Sequence, residues 1–546
     1  MKTIKYIGLS LLTAVFLSCD SDVENFRIPQ PEVFPPLQGG TADFSNYVAL
    51  GNSLTAGFSD NALFIATQEN SYPNIMAQKM ALLGGGTFTQ PLMNDNFGGL
   101  ALGGARIADP RLVFGGAGPV PLEAVIGPVT VTTDIATNNP IGPFNNLGIP
   151  GAASFHMLAQ GYGNIANLPN AANPYAVRVT GNAPNATLVE LALAQNPTFF
   201  SLWIGNNDVL GFATSGGVAP ITDQATFDAS LGATVAALAG ATTGGVIANI
   251  PDVTTIPFLT TVPVNALDPS DPAVGEQIPL LNQVYGAVNG VYLFLQSQGA
   301  LSADEVAQRS VIFSDTQVNP VVIVDENLDD LSGSIAQVLG ASPDFAAFIG
   351  QFGLPPEAAP QVAGLFGLLY GQSRPATTDD SATLTSAGVI GTVNEENAGF
   401  LVSQGIPAEL AGQFSVEGIT YPLEDQWILT VDETTMANSA VANFNATISA
   451  LATQNGLAFV DANALLNELN TVGLTFDDYS LTSDLVFGGV FSLDGVHLTS
   501  RGYALAANEF LRAIDATYGT NFEASGNLAK AGDYPTNYSP TLGLPN

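Results

Sequence analysis

Short apolar runs rich in β-branched and aromatic residues recur along the chain, and each ends in turn residues. They cover 47–50, 199–204, 246–250, 311–313 and 457–460. Unbroken apolar runs of this length are typical of strands that are buried on both faces of a parallel sheet. We therefore expect these five segments to form the central strands of the molecule.

Two late segments have the apolar spacing of amphipathic helices. In 437–454 the apolar positions are Val441, Phe444, Ile448 and Leu451, and in 500–518 they are Tyr503, Ala507, Phe510 and Ile514. Gly456 follows the first segment as a stop signal, and Thr499 precedes the second as an N-cap. Strands interleaved with helices predict an α/β core with a parallel sheet, in which chemistry lies at the carboxyl ends of the strands.

Two segments are longer than simple connections require. Residues 84–145 are rich in Gly, Pro and Asn and are expected to form a long excursion, while 253–440 are expected to contain an inserted, mainly helical subdomain. Its apolar residues could form either a lid over a binding site or the core of the subdomain itself. They are Phe345, Phe348, Ile349, Phe352, Leu354, Leu365, Phe366, Leu368 and Leu369.

Composition narrows the classes of partner. The chain has 546 residues, of which 46% are hydrophobic, so it can bury a substantial core. Its 48 acidic residues against 12 basic ones give a net charge of -36, which repels phosphate backbones. We expect no nucleic-acid partner, and we expect a monomer.

The N-terminus has the layout of a secretory signal. Lys2 and Lys5 precede an apolar run at 7–17, which is too short to span a bilayer, and Cys19 follows Ser18. This resembles a lipoprotein signal of the Bacteroidetes type, with 1–18 removed and Cys19 lipidated, and plain cleavage is the alternative. Residues 19–43 then form a tether to the outer membrane, on its periplasmic or cell-surface face. Cys19 is the sole cysteine, so its lipidation would leave no thiol for a disulfide or a metal site.

The chain has two histidines, His156 and His497. Imidazole is the side chain best suited to take a hydroxyl proton near neutral pH. His497 lies in a glycine-containing loop, three residues after Asp494, whose carboxylate could fix the ring tautomer. His156 has no acidic residue nearby in the sequence, so we expect a structural role for it.

Ser53 is the candidate nucleophile. It stands in Gly51-Asn52-Ser53-Leu54, which ends the first predicted strand abruptly and would expose the hydroxyl at the carboxyl edge of the sheet. The alternative is a plain strand-to-helix turn in which Ser53 is an N-cap.

Two further segments could stabilise an oxyanion. The amide side chain of Asn207, in Gly205-Asn206-Asn207-Asp208, can donate a hydrogen bond without adding charge. The N–H of Gly151 can approach a ligand closely because glycine has no Cβ, although Gly148 competes for this role. Both segments also have the composition of ordinary turns.

In order, these segments resemble the four blocks of the SGNH (GDSL-like) hydrolase family. Gly51-Asn52-Ser53-Leu54 is similar to its Gly-Asp-Ser-Leu block, with Asn52 in place of Asp. Gly151 matches the glycine block, Gly205-x-Asn207-Asp208 the Gly-x-Asn-Asp block, and Asp494-x-x-His497 the last block.

The resemblance implies a flavodoxin-like three-layer α/β/α fold, divided between 44–255 and 440–520. An insertion at 256–439 and a C-terminal extension at 521–546 would complete the chain. It also implies an esterase with Ser53, His497 and Asp494 as catalytic residues, and with an oxyanion hole formed by Ser53, Gly151 and Asn207. No metal or organic cofactor is needed for this chemistry, while structural Ca²⁺ binding by the many aspartates stays open.

Three functions remain in view at this point. The first is hydrolysis of lipid-like or short acyl esters, and the second is removal of acetyl groups from carbohydrates. The third is a catalytically silent surface lipoprotein in which the core presents the insertion to a glycan or partner. A structural outer-membrane protein is excluded because the sequence lacks repeated alternating strands of about ten residues.

Overall fold

A computed structural model of the protein describes residues 34–544. The predicted signal peptide, Cys19 and the first part of the predicted tether lie outside these residues. None of the helices within 34–544 is long and apolar enough to cross a membrane.

The centre of the molecule is a sheet of five parallel strands within a mixed α/β structure. The strands are β1 (Tyr47–Gly51), β2 (Asn146–Gly148), β3 (Phe199–Trp203), β4 (Gly244–Ala248) and β5 (Ala458–Val460), in the spatial order β5-β4-β3-β1-β2. In chain numbering this order is 2-1-3-4-5. The strand order therefore reverses between β1 and β3, and the carboxyl edge at such a point is where open α/β sheets bind ligands.

Four of the five predicted strands are confirmed, and the prediction at 311–313 is wrong. That segment has no strand partner, because the N–H groups of Val311 and Phe313 donate to the side-chain oxygens of Asn289 and Asn282. The fifth strand is instead Asn146–Gly148, in the segment that the sequence indicated only as a glycine-containing turn.

Helices cover both faces of the sheet. In chain order they are α1 (Ser53–Ala56), α2 (Tyr72–Ala81), α3 (Pro174–Thr180), α4 (Leu188–Leu193), α5 (Gln224–Ala241), α6 (Val431–Gln454), α7 (Ala462–Thr471) and α8 (Ser500–Tyr518). Helices α2, α7 and α8 share one apolar cluster with the strands, and α3 to α6 share another. The arrangement is compatible with a three-layer α/β/α fold.

Both predicted helices are present. Helix α8 has the predicted bounds, and the Thr499 hydroxyl accepts a hydrogen bond from the Gly502 N–H, as expected of an N-cap. Helix α6 begins at Val431, before the predicted start at 437, because Thr430 and Glu433 form a capping box.

The inserted segment has an apolar cluster of its own, which runs from Val264 to Ile428. Its longer helices are Ile278–Ser297, Ala303–Arg309, Ser332–Gly340, Pro343–Gly350, Ala359–Tyr370, Glu395–Ser403 and Ala408–Gln413. Strand Val322–Val324 pairs with Ser373–Pro375, and Ser381–Ala382 pairs with Ile428–Leu429. Of the apolar residues that could have formed a lid, all except Leu368 pack in this cluster.

The remaining segments form small ribbons and short helices around the sheet. The ribbons are Leu100–Leu102 with Ala105–Ala108, Leu112–Phe114 with Pro119–Pro121, and Leu474–Phe476 with Tyr479–Leu481. The short helices are Ile65–Glu69, Leu122–Ile126, Leu210–Thr214, Pro257–Thr260 and Pro272–Gly275. Beyond α8 the chain packs back on the core through Phe522, Ala529 and Ala531. The Asn521 side chain accepts a hydrogen bond from the Gln38 N–H and donates one to the Pro36 carbonyl.

Candidate active site

Ser53 lies directly after β1, at the carboxyl edge of the sheet beside the β1–β3 switch point. It is the first residue of α1 and is 6% exposed. The helix is capped by Asn52 and not by Ser53, because the Asn52 side-chain oxygen accepts the Leu54 N–H at 3.0 Å. The Ser53 hydroxyl is thus free of a capping role. The Asn52 amide also donates to the Asn206 side chain at 2.9 Å, which joins the turn after β1 to the turn after β3.

The two residues of the last motif reach Ser53 from the loop before α8. His497 Nε2 lies 2.9 Å from Ser53 Oγ, and His497 Nδ1 lies 2.9 Å from Asp494 Oδ2. A carboxylate beside Nδ1 favours the tautomer with a proton on Nδ1, which leaves Nε2 free to accept the Ser53 hydroxyl proton. The structure therefore brings together the three residues that the sequence singled out as candidate nucleophile, base and acid.

The Asp494 carboxylate is held from several sides. Its Oδ1 accepts the N–H groups of Val496 and His497 at 2.9 and 2.8 Å, and its Oδ2 accepts the Asn61 N–H at 2.8 Å. Burial would raise the pKa of Asp494, but the interactions with His497 and these N–H groups outweigh it and hold the pKa well below its usual range. Asp494 therefore stays ionised in the presence of its partner.

Asp60 also supports this loop, although it stands in none of the motifs selected from the sequence. Its Oδ1 accepts the Leu493 N–H at 3.1 Å, and its own N–H donates to the Ser492 hydroxyl, which in turn donates to Asp494. Asp60 is almost fully buried, and burial raises its pKa to about 7, with a further increase from the charge of Asp494. More than 400 residues separate these partners, so no local pattern could have indicated the contact.

Asn207 and Gly151 lie on two turns that are bonded to each other. The Asn207 amide donates to the Ala152 carbonyl at 2.9 Å, and Asp208 accepts both the N–H and the hydroxyl of Ser154. Asn207 also lines the same pocket as Ser53 and His497. An amide nitrogen carries two donors, so one N–H of Asn207 remains for a ligand.

The geometry separates the two candidate glycines. Gly148 is the last residue of β2, and its N–H donates to the Asn146 side chain at 2.9 Å. Gly151 is exposed and has a φ of +82°, and within 34–544 its N–H has no acceptor. Gly151 is therefore the one that has a donor to offer a ligand.

His156 lies apart from this hydrogen-bonded chain. Its Nδ1 accepts the Ala153 N–H at 2.9 Å, and its ring stacks on Tyr162 with the centroids 4.3 Å apart. Burial lowers the pKa of His156 to about 4, so the ring is neutral at pH 7. These contacts suit a residue that stabilises the turn after Gly151.

No family model, curated protein or solved structure matches the chain.

An apolar pocket opens beside Ser53. Its cavity volume is about 90 Å³, several times the roughly 10–15 Å³ that one water molecule needs. Its polar lining is confined to the end formed by Asn52, Ser53, Asn206, Asn207 and His497. The other lining side chains are predominantly apolar and come from α1, β3, the segments after β3 and β4, α7, α8 and the loops around them.

Within 34–544, a cluster of three carboxyl groups that is separate from Ser53 is the arrangement that could hold a metal ion. Glu326, Asp425 and Glu433 each offer an oxygen within 4.8 Å of the others, where the insertion meets α6. Burial raises the pKa of Glu433 to about 7 and that of Asp425 to about 6, and the neighbouring carboxylates add to both shifts. A proton kept by one of these carboxyl groups reduces their mutual repulsion and allows them to lie close together.

Proposed function

We propose that this protein is a serine esterase that hydrolyses carboxylic esters through an acyl-serine intermediate. The observation that carries the proposal is the unbroken chain of hydrogen bonds from Ser53 through His497 to Asp494 at the sheet edge. A serine hydroxyl, an imidazole and a buried carboxylate in this order form the arrangement that activates serine for acyl transfer.

We further propose that the core has the flavodoxin-like fold of SGNH hydrolases. Two observations support this. The sheet has the order 2-1-3-4-5 with all strands parallel, and the four sequence blocks lie in loops that are linked to one another by hydrogen bonds. Asn52, which departs from the family pattern, caps α1 and contacts Asn206, so the departure leaves the nucleophile unaltered.

In the first half-reaction, Ser53 Oγ forms a bond to the ester carbonyl carbon while its proton passes to His497 Nε2. Asp494 stabilises the imidazolium that results. The carbonyl oxygen becomes an oxyanion, to which the N–H groups of Ser53 and Gly151 and the Asn207 amide can donate. The bond between the carbonyl carbon and the alcohol oxygen then breaks, and His497 gives its proton to the departing alcohol.

In the second half-reaction, water takes the place of the alcohol. His497 removes a proton from the water as its oxygen attacks the acyl carbon, and a second oxyanion forms at the same donors. The bond to Ser53 Oγ breaks, the proton returns to Ser53, and the carboxylic acid leaves. No metal or organic cofactor enters either step.

Hydrolysis of p-nitrophenyl esters by the wild type, Ser53→Ala and His497→Ala tests the proposal. We expect the wild type to release p-nitrophenol and both variants to lose this activity, because each removes one partner of the proton transfer. If all three proteins were equally inert, the catalytically silent binding lipoprotein would become the better hypothesis. The separate apolar core of the insertion is the observation that favours that second candidate.

We also propose that the enzyme is anchored to the outer membrane through lipidated Cys19. The support is the order of positive, apolar and small residues before the sole cysteine. Cells that express Cys19→Ser should lose the protein from their membrane fraction. Retention of the variant in that fraction would contradict the anchor.

A further inference from the structure

The pocket beside Ser53 has chemically different ends. At one end are Ser53, His497 and the Asn207 amide. Among the lining residues, His497 alone has a side chain that ionises near neutral pH. Beyond this end the walls are aliphatic and aromatic side chains, with Leu469 from α7 and Ala506 from α8 facing the same space. A polar reacting centre at the mouth of an apolar slot is suited to a ligand with one polar group and a hydrocarbon tail.

A layer of leucines lines the pocket on the side away from Ser53. Three leucines, Leu465, Leu474 and Leu505, line this pocket and also a second, polar groove on the other side. That groove contains charged residues that include Arg512 and Lys530. These leucines therefore lie between the apolar slot and the charged groove.

We propose that this slot binds the acyl chain of the substrate, so that the preferred substrates are esters of fatty acids longer than acetate. The inference rests on the proposed esterase function and specifies its substrate class. The alcohol has to leave between the two half-reactions, and water has to enter in its place. An apolar slot that begins at Ser53 suits the acyl group instead, because that group stays attached to Ser53 through both steps.

The composition of the slot sets the expected selectivity. Each methylene moved from water into an apolar lining favours binding by about fourfold. An acetyl group would leave the slot beyond the reacting end unfilled. The ratio of kcat/KM for a longer ester to kcat/KM for the acetate ester is therefore the quantity that reports on the slot.

The first test is Ala506→Leu with Ala516→Leu as its matched control, both assayed on p-nitrophenyl esters from acetate to laurate. Ala506 lines the slot, whereas Ala516 is exposed on the same helix. In the wild type kcat/KM should rise as the acyl chain lengthens. Ala506→Leu should lower the long-to-short ratio by about tenfold or more, because the added carbons occupy the slot, and Ala516→Leu should leave the ratio unchanged.

A parallel series of alkyl acetates identifies the part of the ester that occupies the slot. If Ala506→Leu altered the preference for alcohol length and left acyl preference intact, the slot would bind the alcohol and the proposal would be overturned. An unchanged ratio in Ala506→Leu would also overturn it.

The second test measures binding without turnover. Trp203 lines the slot, and the other tryptophan of the chain, Trp427, lies in the insertion. In a Ser53→Ala, Trp427→Phe protein the remaining indole fluorescence comes from Trp203. Bound ω-bromoundecanoic acid should quench it saturably, since bromine quenches indole on contact, and the added Ala506→Leu change should weaken that quenching.

The two tests separate the two proposals. Saturable quenching in a protein that hydrolyses no ester would remove the esterase proposal and leave a fatty-acyl binding slot. Ester hydrolysis with no preference for acyl length and no quenching would preserve the esterase and overturn the acyl slot.

Discussion

At the scale of single residues, the hydrogen bonds of Asp494 determine which nitrogen of His497 carries the proton. The backbone N–H groups of Asn61 and His497 hold the Asp494 carboxylate in place. In this position its Oδ2 accepts a hydrogen bond from His497 Nδ1. The centroid of the Phe58 ring lies 4.7 Å from that of the His497 imidazole, and the Phe58 ring limits rotation of the imidazole. Nε2 is therefore aimed at Ser53 before any substrate binds.

Asn207 should contribute to the rate through the oxyanion. In Asn207→Ala we expect kcat to fall about a hundredfold or more with a smaller change in KM, because loss of one such donor raises the barrier by about 3–4 kcal/mol. Asn207→Asp should lose as much, since it removes the donor and adds a negative charge. Steady-state kinetics on one ester measures both variants, and a loss confined to KM would contradict the role.

Asp60 should make stability depend on pH. Its pKa is raised from 3.8 to about 7, so the folded protein keeps a proton in this interval that the unfolded chain releases. The stability contributed at low pH is therefore lost as the pH rises through about 7. The side chain in Asp60→Asn cannot ionise, so this variant should not lose stability in this way. Between about pH 4 and 7 its free energy of unfolding should therefore rise relative to that of the wild type, by up to about 4 kcal/mol.

Urea unfolding of the wild type and Asp60→Asn at pH 5 and pH 8 measures this gain. The difference between the two proteins removes the contribution of Glu433 and Asp425, whose raised pKa values act on both. A difference that did not change with pH would show that Asp60 is not a buried carboxyl of raised pKa.

At the scale of elements, the sequence predicted the strands that consist of apolar runs and the helices that have clear capping residues. Strands β1, β3 and β4 and helix α8 can be recognised from the sequence in this way. β2 has three residues, begins with Asn146 and ends with glycine, so it offers no apolar run to detect. The apolar run at 311–313 is buried in the insertion instead, where asparagine side chains satisfy its backbone.

The candidate site divides in the same manner. Ser53, Asp494 and His497 stand in motifs that could be selected from local sequence, and their spacing in the structure matches the expected chain of contacts. The support from Asp60 and Asn61 could not be predicted, because it joins loops that are distant in the chain. The choice between Gly148 and Gly151 likewise needed the pairing of β2.

The two glycines should respond differently to alanine. A Cβ on Gly148 would lie 2.3 Å from the Ala56 backbone nitrogen, so Gly148→Ala should lower the free energy of unfolding by about 3 kcal/mol or more. A Cβ on Gly151 would meet only Asn173 at 3.6 Å, and the cost should be the left-handed strain of about 1–2 kcal/mol. Thermal or urea unfolding compares them, and equal destabilisation would contradict the packing of β2 against α1.

At the scale of the whole molecule, the chain combines a sheet core with an insertion that has its own apolar cluster, under a large negative charge. The site lies in the core, and the insertion approaches it near Gly495, whose carbonyl accepts the Phe258 N–H at 2.9 Å. This hydrogen bond joins the insertion directly to the loop that carries His497.

The net charge of -36 should make stability depend on salt. Repulsion among surface carboxylates destabilises the folded state, and it is screened over about 10 Å at 0.1 M salt. The Tm should rise when NaCl is increased from about 0.01 to 0.1 M. A Tm that fell over this interval would mean that favourable ion pairs outweigh the repulsion.

The central claim is that Ser53 is a nucleophile activated by His497. A fluorophosphonate probe reacts covalently with such a serine, and mass spectrometry of the digested protein locates the adduct. We predict an adduct on Ser53 in the wild type, far slower labelling in His497→Ala, and none at this position in Ser53→Ala. A folded wild-type protein that formed no adduct at Ser53, or labelled equally fast without His497, would contradict the account.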